Sequence, residues 1–485
     1  MKIHVSRRPA IAALIVCGLL GTACAINPAT GKRQLMLVSE GQEVALGREN
    51  DQAITTQMGL YDDDELQAYV HGLGRRLAAR SERPQLEWTF RVVDDPVVNA
   101  FALPGGYIYI TRGILAHMKS EAELAAVIGH EIGHVTARHS ASQISKAQLA
   151  QVGFNVGTVL APEQAARFGN LAQTGLGLAF LKFGRDDERQ ADDLGLRYMV
   201  AAGYDARPMA DVFDMLDRVG ASSGGGGIPG WMSTHPAPEN RRERAEARIA
   251  ALNYDFTQSS VGQQEFLQRI DGMAFGVDPR QGYFKDTLFL HPELRFRMEF
   301  PEGWSLQNLR QAVAGLSSEE DAVVQLTLSG ETTPEAALEK FFTQTGVTRT
   351  GPAMGSISGL RTAGDGFMLE SEQGKLKGRV GFVEHEGRVF QLLGYAPEYR
   401  WTAYESEVRR TMASFDRLTD RRALDVGPKR VQVVRVDRAM TLDEFASRHR
   451  ATVPTKTLGL INRIDDGDRL VAGRSYKVVT GGDLP

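Results

Sequence analysis

The strongest constraint in the chain is a run of five residues, His130-Glu131-Ile132-Gly133-His134, inside a stretch whose apolar spacing predicts a helix from about Ser120 to Arg138. Histidines four positions apart on a helix project from one face, so both imidazoles can reach a single metal ion. Glu131 lies about 100° round the helix from His130, which sets its carboxylate beside the ion's open position. With 10 histidines in 485 residues, such a run arises by chance in about one chain of this size in a hundred. Gly129 and Gly133 each cost a helix about 1 kcal/mol relative to Ala. They are read as places where another element comes close.

Two histidines do not complete a catalytic zinc site, which takes a third protein ligand. The leading candidate is Glu188, in Phe183-Gly-Arg-Asp-Asp-Glu188-Arg-Gln-Ala-Asp192. Helical text from Gln148 to Phe180 can return the chain to the histidines. Glu188 and Asp192 then lie one turn apart on one helix face. Glu188 can ligate while Asp192 accepts the second N–H of a ligand histidine. Asp186 and Asp187 compete for the ligand role on spacing alone. His71, His117, His139, His291, His385 and His449 have no partner at ligand spacing and are read as structural or exposed.

Together with Asn99-Ala-Phe-Ala-Leu-Pro-Gly-Gly106 and His235-Pro236 ahead of Arg241, these motifs resemble the gluzincin metallopeptidases that include HtpX, the CAAX prenyl proteases and BepA. The likeness covers roughly residues 25–255. It implies one Zn²⁺ per chain, Glu188 as third ligand to His130 and His134, and endopeptidase activity. Glu131 would then act as general base on a zinc-bound water and pass the proton to the leaving amine. Lacking long apolar stretches, the chain is closer to the soluble envelope branch than to HtpX or the prenyl proteases.

Further residues surround this constellation. Leu86 to Val93 and Gly106 to Thr111 read as strands, the second reached through a Pro104-Gly105-Gly106 turn. An open edge at Gly106, Tyr107, Ile108 and Tyr109 would bind a substrate backbone by strand addition. The two tyrosines read equally well as a packed hairpin face. Arg241 is a permanent cation able to stabilise an oxyanion. His235 has three readings: a neutral imidazole capping the ion in a resting enzyme, a partner of Arg241 at the oxyanion, or a turn residue before proline. The plug is preferred, because the four glycines Gly224 to Gly227 leave the preceding loop little rigidity.

The rest of the chain supplies an address and two further regions. Lys2, Arg7 and Arg8 precede an apolar stretch, Ala10 to Leu20, and small residues lead to Cys24, the pattern of an export signal over residues 1–23. Cys24 resembles the acylated cysteine of bacterial lipoproteins, which implies a lipid anchor at the outer membrane facing the periplasm; ordinary cleavage without lipid stays open. Cys17 and Cys24 are the only cysteines, so a disulfide scaffold is excluded. A net charge of −4 carries no nucleic-acid footprint.

The expected class is therefore α+β, with a mainly helical zincin-type metallopeptidase domain and small sheet at 24–275. Residues 283–420, with a β-β-α-β order and Pro301-Glu-Gly-Trp304, resemble a PsbP-like α+β domain, and 429–482, with Thr441-Leu442 opening a helix, Leu458-Gly-Leu-Ile-Asn462 and a final Tyr476-Lys-Val-Val479, resemble a small LysM-like α/β module. The expected activity is cleavage of misfolded or stalled envelope proteins, with outer-membrane assembly machinery and, through 429–482, peptidoglycan as further partners. The alternative is a non-proteolytic periplasmic chaperone or wall-anchored scaffold that keeps a zinc fold.

Overall fold

A computed structural model describes residues 24–156, 181–222, 230–236, 240–371, 374–482 and 484. The expected leader at 1–23, the Gly224–Gly227 loop and the helical text beyond residue 156 up to Phe180 lie outside these residues. The chain divides into two compact units: residues up to Gly276 together with Arg430–Thr480, and Val277–Lys429 with Gly481–Pro485. Among the described residues, no helix is long and apolar enough to cross a membrane.

The first unit opens with a short antiparallel pair, β1 (Cys24–Ile26) and β2 (Arg33–Leu35), in which Cys24 faces Leu35. Helices α1 (Glu40–Met58) and α2 (Asp64–Ala78) follow, then strands β3 (Thr89–Val93), β4 (Ala100–Leu103) and β5 (Tyr107–Thr111). Gly105 and Gly106, at φ +83° and +104°, turn β4 into β5 where a side chain at Gly105 would strike the α1 backbone.

The sheet order is β3-β5-β4, with β5 parallel to β3 and antiparallel to β4. The expected open edge at Gly106, Tyr107, Ile108 and Tyr109 is therefore corrected: β5 is the central strand and both its ladders are occupied. Tyr109 is fully buried, stacked on Phe101, and donates its hydroxyl to Asp51 at 2.6 Å. The packed-face reading holds for it, because a parallel partner from earlier in the chain fills the side that local text left open.

Among the described residues up to Gly276, the further α-helices are α3 (Arg112–His117), α4 (Glu121–Thr136), α5 (His139–Val156), α6 (Arg185–Ala201), α7 (Pro208–Ser222), α8 (Trp231–Thr234), α9 (Arg241–Ala251) and α10 (Gln263–Ile270). Helix α4 carries the His-Glu-x-x-His run. Ser120 caps its N-terminus by accepting from the Glu123 N–H, and all its residues are buried, which accounts for its apolar text on every side. At its far end, Arg138 adopts φ 61° and reverses the chain into α5. Long-range donors reach the carbonyls there: Asn27 and Gln34 donate to Ala137, and Arg83 adds a bond to the Val135 carbonyl, which also accepts from the Arg138 N–H.

Helix α6 crosses α4 at glycine. A Cβ on Gly129 would stand 3.1 Å from the Gly195 carbonyl oxygen, and one on Gly133 would stand 3.0 Å from the Ala191 backbone. The two backbones touch with no side chain between them.

Residues 430–480 complete this unit. Strand Lys429–Arg435 lies between Ser475–Thr480 and Ala274–Phe275, and helices Leu442–Arg448 and Thr455–Asn462 share a core with it. Its buried Lys477 donates to the Ala116 and Met118 carbonyls, both at 2.7 Å, at the end of α3. Arg463 pairs with Glu123 in the first turn of α4. The second unit holds a seven-stranded sheet of successive antiparallel neighbours and a four-stranded sheet, with helices Pro334–Phe342 and Trp401–Ala413. In the four-stranded sheet the strand Phe296–Glu299 begins just after Arg295, which takes a left-handed turn at φ 52°.

An Ala in place of Gly normally favours a helix by about 1 kcal/mol. At Gly195 the added Cβ would stand 2.8 Å from the His130 nitrogen and 3.0 Å from the Gly129 carbonyl carbon. The helices must part, so Gly195→Ala is expected to lose about 1–3 kcal/mol of stability in urea unfolding and to lower metal content. An unchanged or raised midpoint would contradict this packing.

Candidate metal centre

The α4–α6 contact brings the donors together. The Nε2 atoms of His130 and His134 are 3.0 Å apart. Glu188, in the first turn of α6, places Oε2 3.5 Å from His130 Nε2 and Oε1 3.4 Å from His134 Nε2. His235, just beyond α8, sets Nδ1 3.0 Å from Glu188 Oε1 and 3.4 Å from His130 Nε2. All four residues are buried, with their donor atoms within 4.8 Å of one another.

A tetrahedral zinc held at about 2.0–2.1 Å by nitrogen and oxygen has donor–donor edges of about 3.3 Å. The separations of 3.0–3.5 Å match those edges. Glu188 Oε2, His235 Nε2 and both oxygens of Glu131 are buried without a hydrogen-bond partner among the described residues. Such a cluster of lone pairs is costly to bury unless a cation shares it, and the donor set fits zinc.

Behind the donors stands a supporting layer. Asp192 Oδ1 lies 2.9 Å from His130 Nδ1. Asp192 is gripped in turn by Arg241, Nε to Oδ2 at 2.9 Å and a terminal nitrogen to Oδ1 at 2.6 Å. This changes the expected position of Arg241. Its guanidinium is buried on the Nδ1 side of His130, over the Phe213 ring, and its fork is committed to Asp192.

Asp186 and Asp187 stand apart from the donors. Asp186 is exposed beside Arg189, and Asp187 accepts from the Gly184 N–H and from Gln143.

Three residues close the site that sequence reasoning passed over. His139 places Nδ1 2.9 Å from His134 Nδ1, Phe183 stacks on His134, and Trp231 stacks on His235 at 4.2 Å between ring centroids. His139 lies five residues past His134, off the helix face, and reaches it only through the left-handed turn at Arg138. The aromatic residues flanking Glu188 and His235 in sequence were the only local signal for the other two.

The site's two acidic side chains are driven in opposite directions. Burial raises the Glu131 pKa, and His235 and His130 offset only part of that. Burial also opposes ionisation of Glu188, but His235, His134 and His130 outweigh it and hold its carboxyl well below the usual range. For Asp192 burial is likewise outweighed, by Arg241 and His130. His134 is kept neutral by burial, as a ligand must be. A carboxylate pushed up beside one pushed down separates a proton acceptor from a permanent anion.

Residues 64–249 match Peptidase family M48. The chain is 31% identical over 234 residues to the beta-barrel assembly-enhancing protease of Escherichia coli (strain K12), covering 46% of this chain and 47% of that protein. It is 33% identical over 217 residues to the mitochondrial metalloendopeptidase OMA1 of Arabidopsis thaliana, covering 44% of this chain and 41% of the relative. The matches thus span less than half the length of these relatives. Among solved structures, the cyanobacterial PsbP (CyanoP) of Synechocystis sp. PCC 6803 matches at 12% identity and a TM-score of 0.22, over 28% of this chain and 94% of that one. Residues 64–249 therefore carry the likeness to Peptidase family M48, a family of HExxH zinc metallopeptidases.

Proposed function

We propose that this chain is a zinc endopeptidase of the bacterial cell envelope that cleaves misfolded or stalled proteins. The observation that carries this reading is Glu131: a fully buried carboxylate with no hydrogen-bond partner on either oxygen among the described residues, set against four converging candidate metal donors. His130, His134 and Glu188 would hold zinc, which when bound supplies a Lewis acid that polarises a carbonyl and makes water a better nucleophile. Glu131 takes the proton of the attacking water and hands it to the leaving amine, a role suited to a carboxyl whose pKa burial has raised. Asp192 holds the His130 ring by its Nδ1, and Arg241 fixes Asp192.

The envelope setting rests on the export signal, on Cys24 as a lipid attachment point, and on a relative named for enhancing beta-barrel assembly. Unfolded or misassembled outer-membrane polypeptides are the substrate class this reading favours.

His235 fits the plug. It fills the fourth corner of the donor set, is 1% exposed, and is held there by the Trp231 ring. Hydrolysis needs that corner open, so the resting enzyme would be closed until substrate moves the segment.

Two outcomes follow. Glu131→Gln should keep about one zinc per chain while peptide hydrolysis falls at least ~100-fold, measured on casein with zinc matched by atomic absorption. Normal turnover in that variant would sink the mechanism. His235→Ala should raise basal cleavage of an unfolded substrate at equal zinc content. A slower rate would mean that His235 stabilises the reaction, and an unchanged rate would mean that it only shapes a turn.

A further inference from the structure

The two histidines of α4 are backed by chemically different partners. His130 Nδ1 faces the Asp192 carboxylate, whereas His134 Nδ1 faces the neutral side chain of His139 at 2.9 Å. The second nitrogen of His139, Nε2, lies 3.0 Å from Oε1 of Gln190, which sits on α6 two residues beyond Glu188. His139 is 2% exposed, and Phe183 packs over both rings. The nearest other charge is Asp187, with Oδ1 3.8 Å from His139 Nε2 and Oδ2 engaged by Gly184 and Gln143.

We propose that His139 and Gln190 are a positioning relay that fixes the tautomer and orientation of His134. The inference rests on the reading of His134 as a zinc ligand. Counting protons leaves one arrangement. His134 must present a bare Nε2 to the ion, so its proton is on Nδ1. Two nitrogens 2.9 Å apart share one proton, so His139 Nδ1 accepts from His134. The proton of His139 is then on Nε2, where it meets an amide oxygen, an acceptor.

The backbone serves the same end. Arg138, in its left-handed turn, is held by Glu43 at 2.9 Å and by the Val38 carbonyl at 2.8 Å, and this swings His139 back under His134. The relay ties the end of α4 to α6, so the histidine and the carboxylate that share the ion are set by one hydrogen-bonded loop. Among the described residues Gln190 Nε2 meets no hydrogen-bond partner, and Oε1 carries its contribution to the loop.

The test compares two substitutions in the full-length protein. His139→Phe fills the space but offers no acceptor, while His139→Asn places an amide oxygen where Nδ1 stood. Zinc affinity by chelator competition should fall about 10–100-fold in His139→Phe and stay within about threefold in His139→Asn, with the metal-free melting temperatures alike. Wild-type affinity in His139→Phe would overturn the relay. An equal loss in both variants with unchanged melting would overturn it too, since only volume would then matter. Should His139→Phe fail to fold, histidine-selective ¹⁵N NMR of the zinc-loaded wild type decides: a proton on His139 Nε2 alone supports the relay, and one on Nδ1 refutes it. A wild type that binds no zinc would refute the ligand reading itself, and the relay with it.

Discussion

Everything at the centre depends on how closely α4 and α6 approach. Gly129 and Gly195 meet with backbone against backbone, and Gly133 meets Ala191 in the same way. No residue with a Cβ at Gly195 would let Glu188 come within 3.5 Å of both histidine nitrogens. Each glycine costs a helix about 1 kcal/mol. That loss is offset by an approach that brings a His-Glu-x-x-His helix and a Glu-x-x-x-Asp helix face to face.

The same contact creates an electrostatic problem that defines the site. Three imidazoles and two carboxylates are buried together, and several of their polar atoms have no hydrogen-bond partner among the described residues. A shared divalent cation resolves the crowding for His130, His134, Glu188 and His235. Glu131 remains outside that set with its pKa raised by burial. The outer layer then divides the labour: Asp192 with Arg241 steadies one histidine, and His139 lies against the other.

Much of this could be read from the sequence because it follows helical spacing. The intervals between His130 and His134, and between Glu188 and Asp192, each place two side chains on one face, and the glycines of α4 signalled a close neighbour. What escaped is non-local. The β3 partner that makes β5 a central strand comes from earlier in the chain and runs parallel, so no turn announces it. The left-handed Arg138 that returns His139 to the metal side carries no glycine to mark it. Arg241 looked free as a cation because its partner Asp192 lies on another helix. Residues 429–482 read as a module of their own, and no spacing in the sequence announces that Lys477 and Arg463 reach Ala116 and Glu123 of the unit that holds α4.

The most direct test is the composition of the metal shell itself. Zinc K-edge X-ray absorption on the purified full-length protein should show one zinc with four nitrogen or oxygen donors at about 2.0–2.1 Å, three of them imidazoles. Replacing His235 by Ala should remove one imidazole and leave the other two. A shell with a single imidazole, or one that Glu188→Gln leaves unchanged, would contradict a centre built from His130, His134, Glu188 and His235.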